Sequence, residues 1–515
     1  MTLWKNVKYL SLSFSATVIS YFFYTRIFYN APGILNMVIN SDSLVLPRMG
    51  WEMWHVPHAW QHFQWPRVPS LFPDMLWFFL AERVGLDWRV ALDGFFLLSL
   101  CLMTVCLASA IWRMGNLFWL QALFLASVTL TVYVACVSAG VYVQRFTDMS
   151  GLLELFLPAY HGSSFMLSLL AAAMANMEYD RGRRIANFCP TACLCLVATF
   201  SDPLFVTTFA VPFALSTRVF ALMHRKDTTP VWSALKEGIA GPLFLLAACA
   251  VGFMGQELLY KQNLGGLFKH VPLVALPEIV YSACFSMRAF CCLALFALSI
   301  IPFIRICAKI SKNEIEPYKE LLFYQGYTAS VMALCILSIT YVDISLYRYA
   351  LPLTWWSIVF LVSCIDPASV RKLSDYVMVS LPCAVLYFML TGNHENSLDG
   401  WHSPLETCLS QSHDRLGLRG GLTHYWLSRK VAASSNWTLQ IEQVAGGNHI
   451  FIWGNNPDLY THDVHGFDKT PVFNYFIDDG TEDLKALYSD MGPPAHVLHC
   501  PEADILVFDQ PIRLQ

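Results

Sequence analysis

The stretch "SDSLVLPRMGWEMWHVPHAWQHFQWPRVPSLFPD" (41–74) holds four tryptophans, three histidines and a carboxylate at each end. It follows directly on the first apolar run of the chain, and that position decides how the rest is read. Of the 515 residues 56% are hydrophobic and 14% charged, about half the charge density of a soluble globular chain. Runs of roughly the 20 apolar residues needed to cross a bilayer recur from residue 8 to about residue 391. The chain reads as an α-helical polytopic membrane protein, and 41–74 as the heart of a large first loop, 27–89, on one face of it.

Which face follows from the basic residues. Lys5 and Lys8 precede "YLSLSFSATVISYFFYTRIFY", which lacks a small-residue cleavage site and so reads as a retained anchor. With those lysines cytoplasmic, Arg113, "YDRGRR" (179–184), "MHRK" (223–226), "RICAKISKNEIEPYK" (305–319) and Arg371 with Lys372 return to the same side. That requires spans at about 8–26, 90–112, 117–137, 163–178, 186–201, 203–222, 237–255, 286–305, 320–340, 349–365 and 374–391. The expectation is a protein of a cytoplasmic (inner) membrane with about eleven transmembrane helices and a cytoplasmic N-terminus. Residues 1–392 form the membrane part. Residues 393–515 form a small extracytoplasmic α/β domain.

In that domain "NWTLQIEQV", "HIFIW", "PVFNYFI", "HVLHC" and "ADILVF" read as short strands. "GLTHYWLSRKVAAS" and "TEDLKALYSDMG" read as helices, the second capped by Thr481 and stopped by Gly492. Of sixteen cysteines, Cys408 and Cys500 alone lie here, on the expected oxidising side, and are the candidates for a disulfide. The net charge of −4 has no basic stripe within it, so no nucleic-acid partner is expected.

Ionisable residues gather on the outer side, while the apolar runs are almost free of them. That speaks against an ion-coupled carrier, which needs charges near the midplane. It favours an outer cavity for a substrate with a polar head and a lipid tail. Asp42, in "INSDSL", can take a proton from an incoming hydroxyl, or cap a helix. Asp74 follows the prolines of "RVPSLFPD" and either reaches the cavity edge or opens the next helix. His55, His58 and His62 share a face if the segment is helical; they would bind zinc, contact phosphate or pack at the interface. Trp54 and its neighbours either stack on sugar rings or anchor the loop in the interface. His161, in "LELFLPAYHGSS" (153–164), sits at an expected helix N-terminus, which suits phosphate but also plain capping. Asp202, in "TFSDPLF" (199–205), is a further acidic group or a cap. "WGNNPDLYTHD" (453–463) reads as a carbohydrate contact or as ordinary turn chemistry.

A long first outer loop with an acidic residue, about eleven spans, "RYALP" (348–352) at the start of a late span and an outer C-terminal domain together resemble the GT-C superfamily of polyprenyl-phosphate-sugar-dependent glycosyltransferases. The resemblance implies Asp42 as catalytic base and Arg348 as a contact to the lipid-linked phosphate. Asp74, His161, Asp202, His55 and Trp54 are then the candidates for binding substrate. It implies a polyprenyl-phosphate-sugar donor and a glycan or lipid acceptor. The family often pairs acidic residues in this loop, whereas here Asp42 is followed by Ser43. No motif demands a cofactor, and a divalent metal is the one the resemblance allows. A flippase of lipid-linked saccharides, an envelope-glycan polymerase or ligase, and a scaffold are the rival readings.

Overall fold

The computed structural model describes residues 2–28, 38–66, 68–142, 147–181, 185–225, 230–236, 238–259, 287–312, 314–340, 349–391, 398, 401–464 and 466–515. The main helices are α1 (Thr2–Phe22), α2 (Ser41–His55), α3 (Leu76–Arg83), α4 (Trp88–Met114), α5 (Trp119–Tyr142), α6 (Gly162–Arg181), α7 (Cys189–Ser201) and α8 (Val211–Met223). They continue with α9 (Ala240–Leu259), α10 (Met287–Ser311), α11 (Pro317–Thr340), α12 (Leu351–Ser363), α13 (Pro367–Thr391), α14 (Pro404–Leu416), α15 (Tyr425–Ser434) and α16 (Lys485–Met491). Among the described residues six strands, all C-terminal, follow: β1 (Gly420–Thr423), β2 (Ile441–Ala445), β3 (His449–Ile450), β4 (Phe473–Asp478), β5 (His496–His499) and β6 (Asp504–Val507).

Two compact units result. The first comprises Met1–Pro32, Phe96–Leu258 and Gln262–Glu395; the second comprises Gly33–Phe95, Leu259–Lys261 and Asn396–Gln515. Gly33–Phe95, most of the first loop, thus falls in the same unit as the sheet.

Helices of the first unit occupy the expected intervals. Among the described residues five are long and apolar enough to cross a membrane, or six if α12 and the start of α13, bent by 100°, make one span. The remainder are short, like α7, or interrupted by polar residues, such as the lysines and serines of α1. Polar and charged groups expected on the cytoplasmic side meet one another. Lys8 pairs with Asp375 at 2.5 Å, Arg113 lies 3.8 Å from Asp180, and Lys319 donates to Asn116 at 2.6 Å.

The second unit is built on a sheet ordered β3-β2-β1-β4-β6-β5, with β2, β1 and β4 parallel and the other pairings antiparallel. Its core packs Leu422, Phe476, Leu487 and Leu506, all buried. Helix α15 crosses from β1 to β2, and α2 packs against both α15 and α3. Two expectations need correction here. "GLT" is not the start of a helix but strand β1, because Gly420 and Gly421 leave room for the rings of Phe473 and Tyr475: a Cβ on Gly421 would lie 2.3 Å from the Tyr475 ring. Thr481 caps no helix; it bonds to Asp479, and α16 begins four residues later with Leu484 before it. Gly492 does end α16, with φ +75°.

Cys408 and Cys500 form a disulfide across 92 residues with a Cα–Cα distance of 5.9 Å. Closing a loop of that length stabilises the folded unit by roughly 4 kcal/mol relative to the reduced chain. Reductant, or Cys408→Ser with Cys500→Ser, is therefore expected to lower the denaturant midpoint of the second unit; an unchanged midpoint would show that the bridge carries no stability.

Candidate active site

In the second unit the site is built around the first turn of α2. Asn40 caps this helix: its side chain accepts from the Ser43 amide at 3.0 Å, and the Ser43 hydroxyl faces the Asn40 amide in return. The capping work is therefore done by its neighbours, and Asp42 turns its half-buried carboxylate elsewhere. The Tyr425 hydroxyl, at the start of α15, donates to Asp42 Oδ1 at 2.7 Å. Among the described residues no cation stands within ion-pair distance of Asp42. Burial holds the Tyr425 phenol well above its usual value, and the Asp42 charge adds to that against the pull of Arg429. The phenol therefore stays protonated and acts as a fixed donor to Asp42.

One turn further along α15, Arg429 lies over the Tyr425 ring at 4.9 Å and donates to the carbonyls of Ser41 and Gly454. One and a half turns further along α2, Arg48 donates to Glu52 at 2.6 Å and approaches Glu442 of β2 at 3.5 Å. Glu52 and Arg48 are 0% and 5% exposed. Burial raises both carboxyls against the attraction of Arg48, Glu442 to about 7. The cleft between Arg48, Arg429, Glu442 and Asn455 has room for about one water molecule. It is a buried junction that joins α2 to the sheet, not a substrate pocket.

The rest of the first loop is packed rather than open. Asp74 is 2% exposed in an irregular turn, Leu71–Met75, just before α3. Trp54 donates to the Phe79 carbonyl at 3.1 Å and lies under Arg83. His55 stacks on Trp51 at 4.9 Å and stands 3.8 Å from Glu82. His55, His58 and His62 do not share a helix face, which corrects the expectation. Pro57 forces Val56 into an extended conformation and ends α2, His58 has φ +58°, and His62 pairs with Asp458 at 2.5 Å. Among the described residues no group of three or more His, Cys, Asp or Glu is placed to hold a metal ion.

In the first unit the structure joins two of the sequence candidates. His161 Nδ1 lies 2.7 Å from Asp202 Oδ2, and both side chains are buried. Asp202 also accepts from the Leu204 amide at 2.9 Å, so it both starts the following turn and orients the imidazole. His161 has φ +63° immediately before α6, where the chain folds back so tightly that a Cβ on Gly162 would lie 1.8 Å from the Leu155 carbonyl oxygen. A buried residue held in the left-handed region is over-determined by its surroundings, a pattern common at functional sites. Tyr349, before α12, brings its ring to 5.4 Å from His161. Arg348 and Asp343 lie outside the described residues.

Tyr425, Arg429 and Glu442 were not candidates from sequence. The i,i+4 spacings Arg48/Glu52 and Tyr425/Arg429 were the available signals, and neither points to a partner hundreds of residues away. No protein-family model matches this chain, and no curated protein sequence matches it.

Proposed function

We propose that this protein is a membrane glycosyltransferase of the GT-C type. It moves a sugar from a polyprenyl-phosphate donor to a cell-envelope glycan or lipid at the outer face of a cytoplasmic membrane. The observation that carries the reading is the Asp42 carboxylate: partly exposed, oriented by a protonated tyrosine at 2.7 Å, and with no ion-pair partner among the described residues. A carboxylate so held is suited to accept a proton. The acceptor hydroxyl oxygen attacks the anomeric carbon, its proton passes to Asp42, and the bond from that carbon to the phosphate oxygen breaks with inversion. Polyprenyl phosphate leaves. The resemblance assigns cationic support of that phosphate to Arg348 or His161, and Asp202 would hold His161 with its Nε2 available.

The reading keeps about eleven spans, and two observations fit its placement of the N-terminus inside. Charged groups expected in the cytoplasm pair with one another, Lys8 with Asp375 and Arg113 with Asp180, and the Cys408–Cys500 disulfide fits an oxidising outer compartment for the sheet unit.

The test uses the purified protein in lipid nanodiscs with mixed polyprenyl-phosphate sugars and envelope-glycan acceptors, read by mass spectrometry for a new glycosidic bond. In proteoliposomes, saccharide crossing the bilayer without a new bond would instead mark a flippase. In the same assay His161→Ala is expected to lower turnover about a hundredfold, and Asp202→Asn about tenfold, from the loss of an oriented phosphate contact. Full activity in both would remove this pair from the reaction.

A further inference from the structure

We propose that Tyr425, Trp426, Phe451 and Trp453 form the subsite that holds the sugar ring of the acceptor beside Asp42. The inference deepens the glycosyl-transfer reading and rests on it only in naming a carbohydrate as the ligand. Tyr425 is the hub. Its ring meets Trp453 edge-on at 5.1 Å, Trp426 at 5.0 Å and Phe451 at 6.0 Å, while its hydroxyl is bonded to Asp42. Trp426 is 57% exposed and Phe451 37%, so the cluster presents uncovered aromatic surface around the tyrosine whose hydroxyl meets Asp42.

The platform is rigid. Gln443, 1% exposed, donates its side-chain amide to the carbonyls of both Phe451 and Trp453 at 2.7 Å. Arg429 donates to Gly454, whose φ of +58° turns the chain directly after Trp453. Ring positions are therefore set before any ligand arrives, which spares the ligand the cost of ordering them.

Chemistry decides between a sugar and the lipid surface as the occupant. Sinking these rings into lipid would gain about 1.5–3 kcal/mol per fully buried ring, but it would carry the Asp42 carboxylate toward the bilayer with them. Desolvating a carboxylate costs several kcal/mol. A sugar satisfies both parts at once: its CH face stacks on indole and its hydroxyls bond to carboxylate and phenol.

The experiment titrates the full-length protein in nanodiscs with chitotetraose, mannotetraose and isomaltotetraose by isothermal titration calorimetry. At least one of the three is expected to bind. Trp426→Ala and Trp453→Ala should each weaken it at least tenfold, while Trp60→Ala, an exposed tryptophan outside the cluster, should not change it. Trp426 is on the surface, so its replacement leaves the fold intact and keeps the test decisive. Absence of binding by all three sugars, or binding that survives both substitutions, would overturn the inference. So would quenching by brominated lipids that disappears in Trp426→Phe, which would identify a bilayer contact. Sugar bound without turnover would keep the subsite and remove the transferase reading; turnover indifferent to both rings would do the reverse.

Discussion

Asp42→Asn is expected to lower transfer to acceptor by at least a hundredfold while leaving the fold unchanged. Asparagine has the same size, and its side-chain oxygen can still accept from the Tyr425 hydroxyl that now meets Oδ1 at 2.7 Å. Only the ability to take a proton is lost, and a positioned base is worth about 10²–10⁴ in rate. Tyr425→Phe removes the donor but not the base, so a smaller loss of about tenfold is expected, with acceptor KM affected more than donor KM. Unchanged turnover in Asp42→Asn would remove Asp42 from the mechanism.

The largest stability effect is expected at Arg48. This cation stands between Glu52 and Glu442, whose side chains are 0% and 3% exposed, and it also lies 5.0 Å from the Trp51 ring. Arg48→Ala leaves two buried carboxyls with Arg429 as their remaining nearby cation, a loss of about 3–5 kcal/mol, which a lowered denaturant midpoint of the second unit would read. Glu442→Gln should behave quite differently. The folded protein keeps Glu442 protonated up to about pH 7, whereas an unperturbed glutamate releases its proton near 4.5. Between those values the native state binds the extra proton, so this residue's contribution is full below about pH 4.5 and lost as pH rises through 7. A shift of that size corresponds to about 3 kcal/mol. The melting temperature of the second unit should therefore fall between pH 5 and pH 8. Glu442→Gln should flatten most of that slope, with Glu52, also raised, retaining the rest. A slope unchanged in Glu442→Gln would exclude Glu442 as its source.

Helices were legible wherever apolar runs were long, because a buried or lipid-facing helix writes its length directly into composition. Among the described residues each of the eleven expected intervals is mostly helical, but only the most apolar meet the demands of a span: α6 carries Asn176, Glu178 and Asp180 near its end, and α7 has 13 residues. Strand β1 was hidden for a physical reason, since its two glycines contribute no apolar pattern and the rings of β4 supply the packing instead. Among site residues, the chemistry of each was visible but not its partner. His161 and Asp202 were read separately and are bonded to each other; Asp42 was read as a cap or a base, and Asn40 proves to be the cap. Arg429, Glu442 and Tyr425 meet α2 only through tertiary folding, for which local spacing carries no signal.

The hydrogen bond from Tyr425 to Asp42 closes a separation of 383 residues. At a synthesis rate of about 5–20 residues per second, the first loop waits roughly 20–80 s between its own emergence and that of its sheet. Throughout that interval Arg48 and Glu52 have each other but neither Glu442 nor the cover of α15, and Trp51 lacks Trp437, against which it packs in the finished unit. Premature termination anywhere in the intervening helices leaves this half of the unit permanently orphaned, with aromatic surface exposed to proteases and chaperones. The closing contact thus doubles as a completeness check on biogenesis: only a chain translated to its final strands can bury the charges laid down near its beginning.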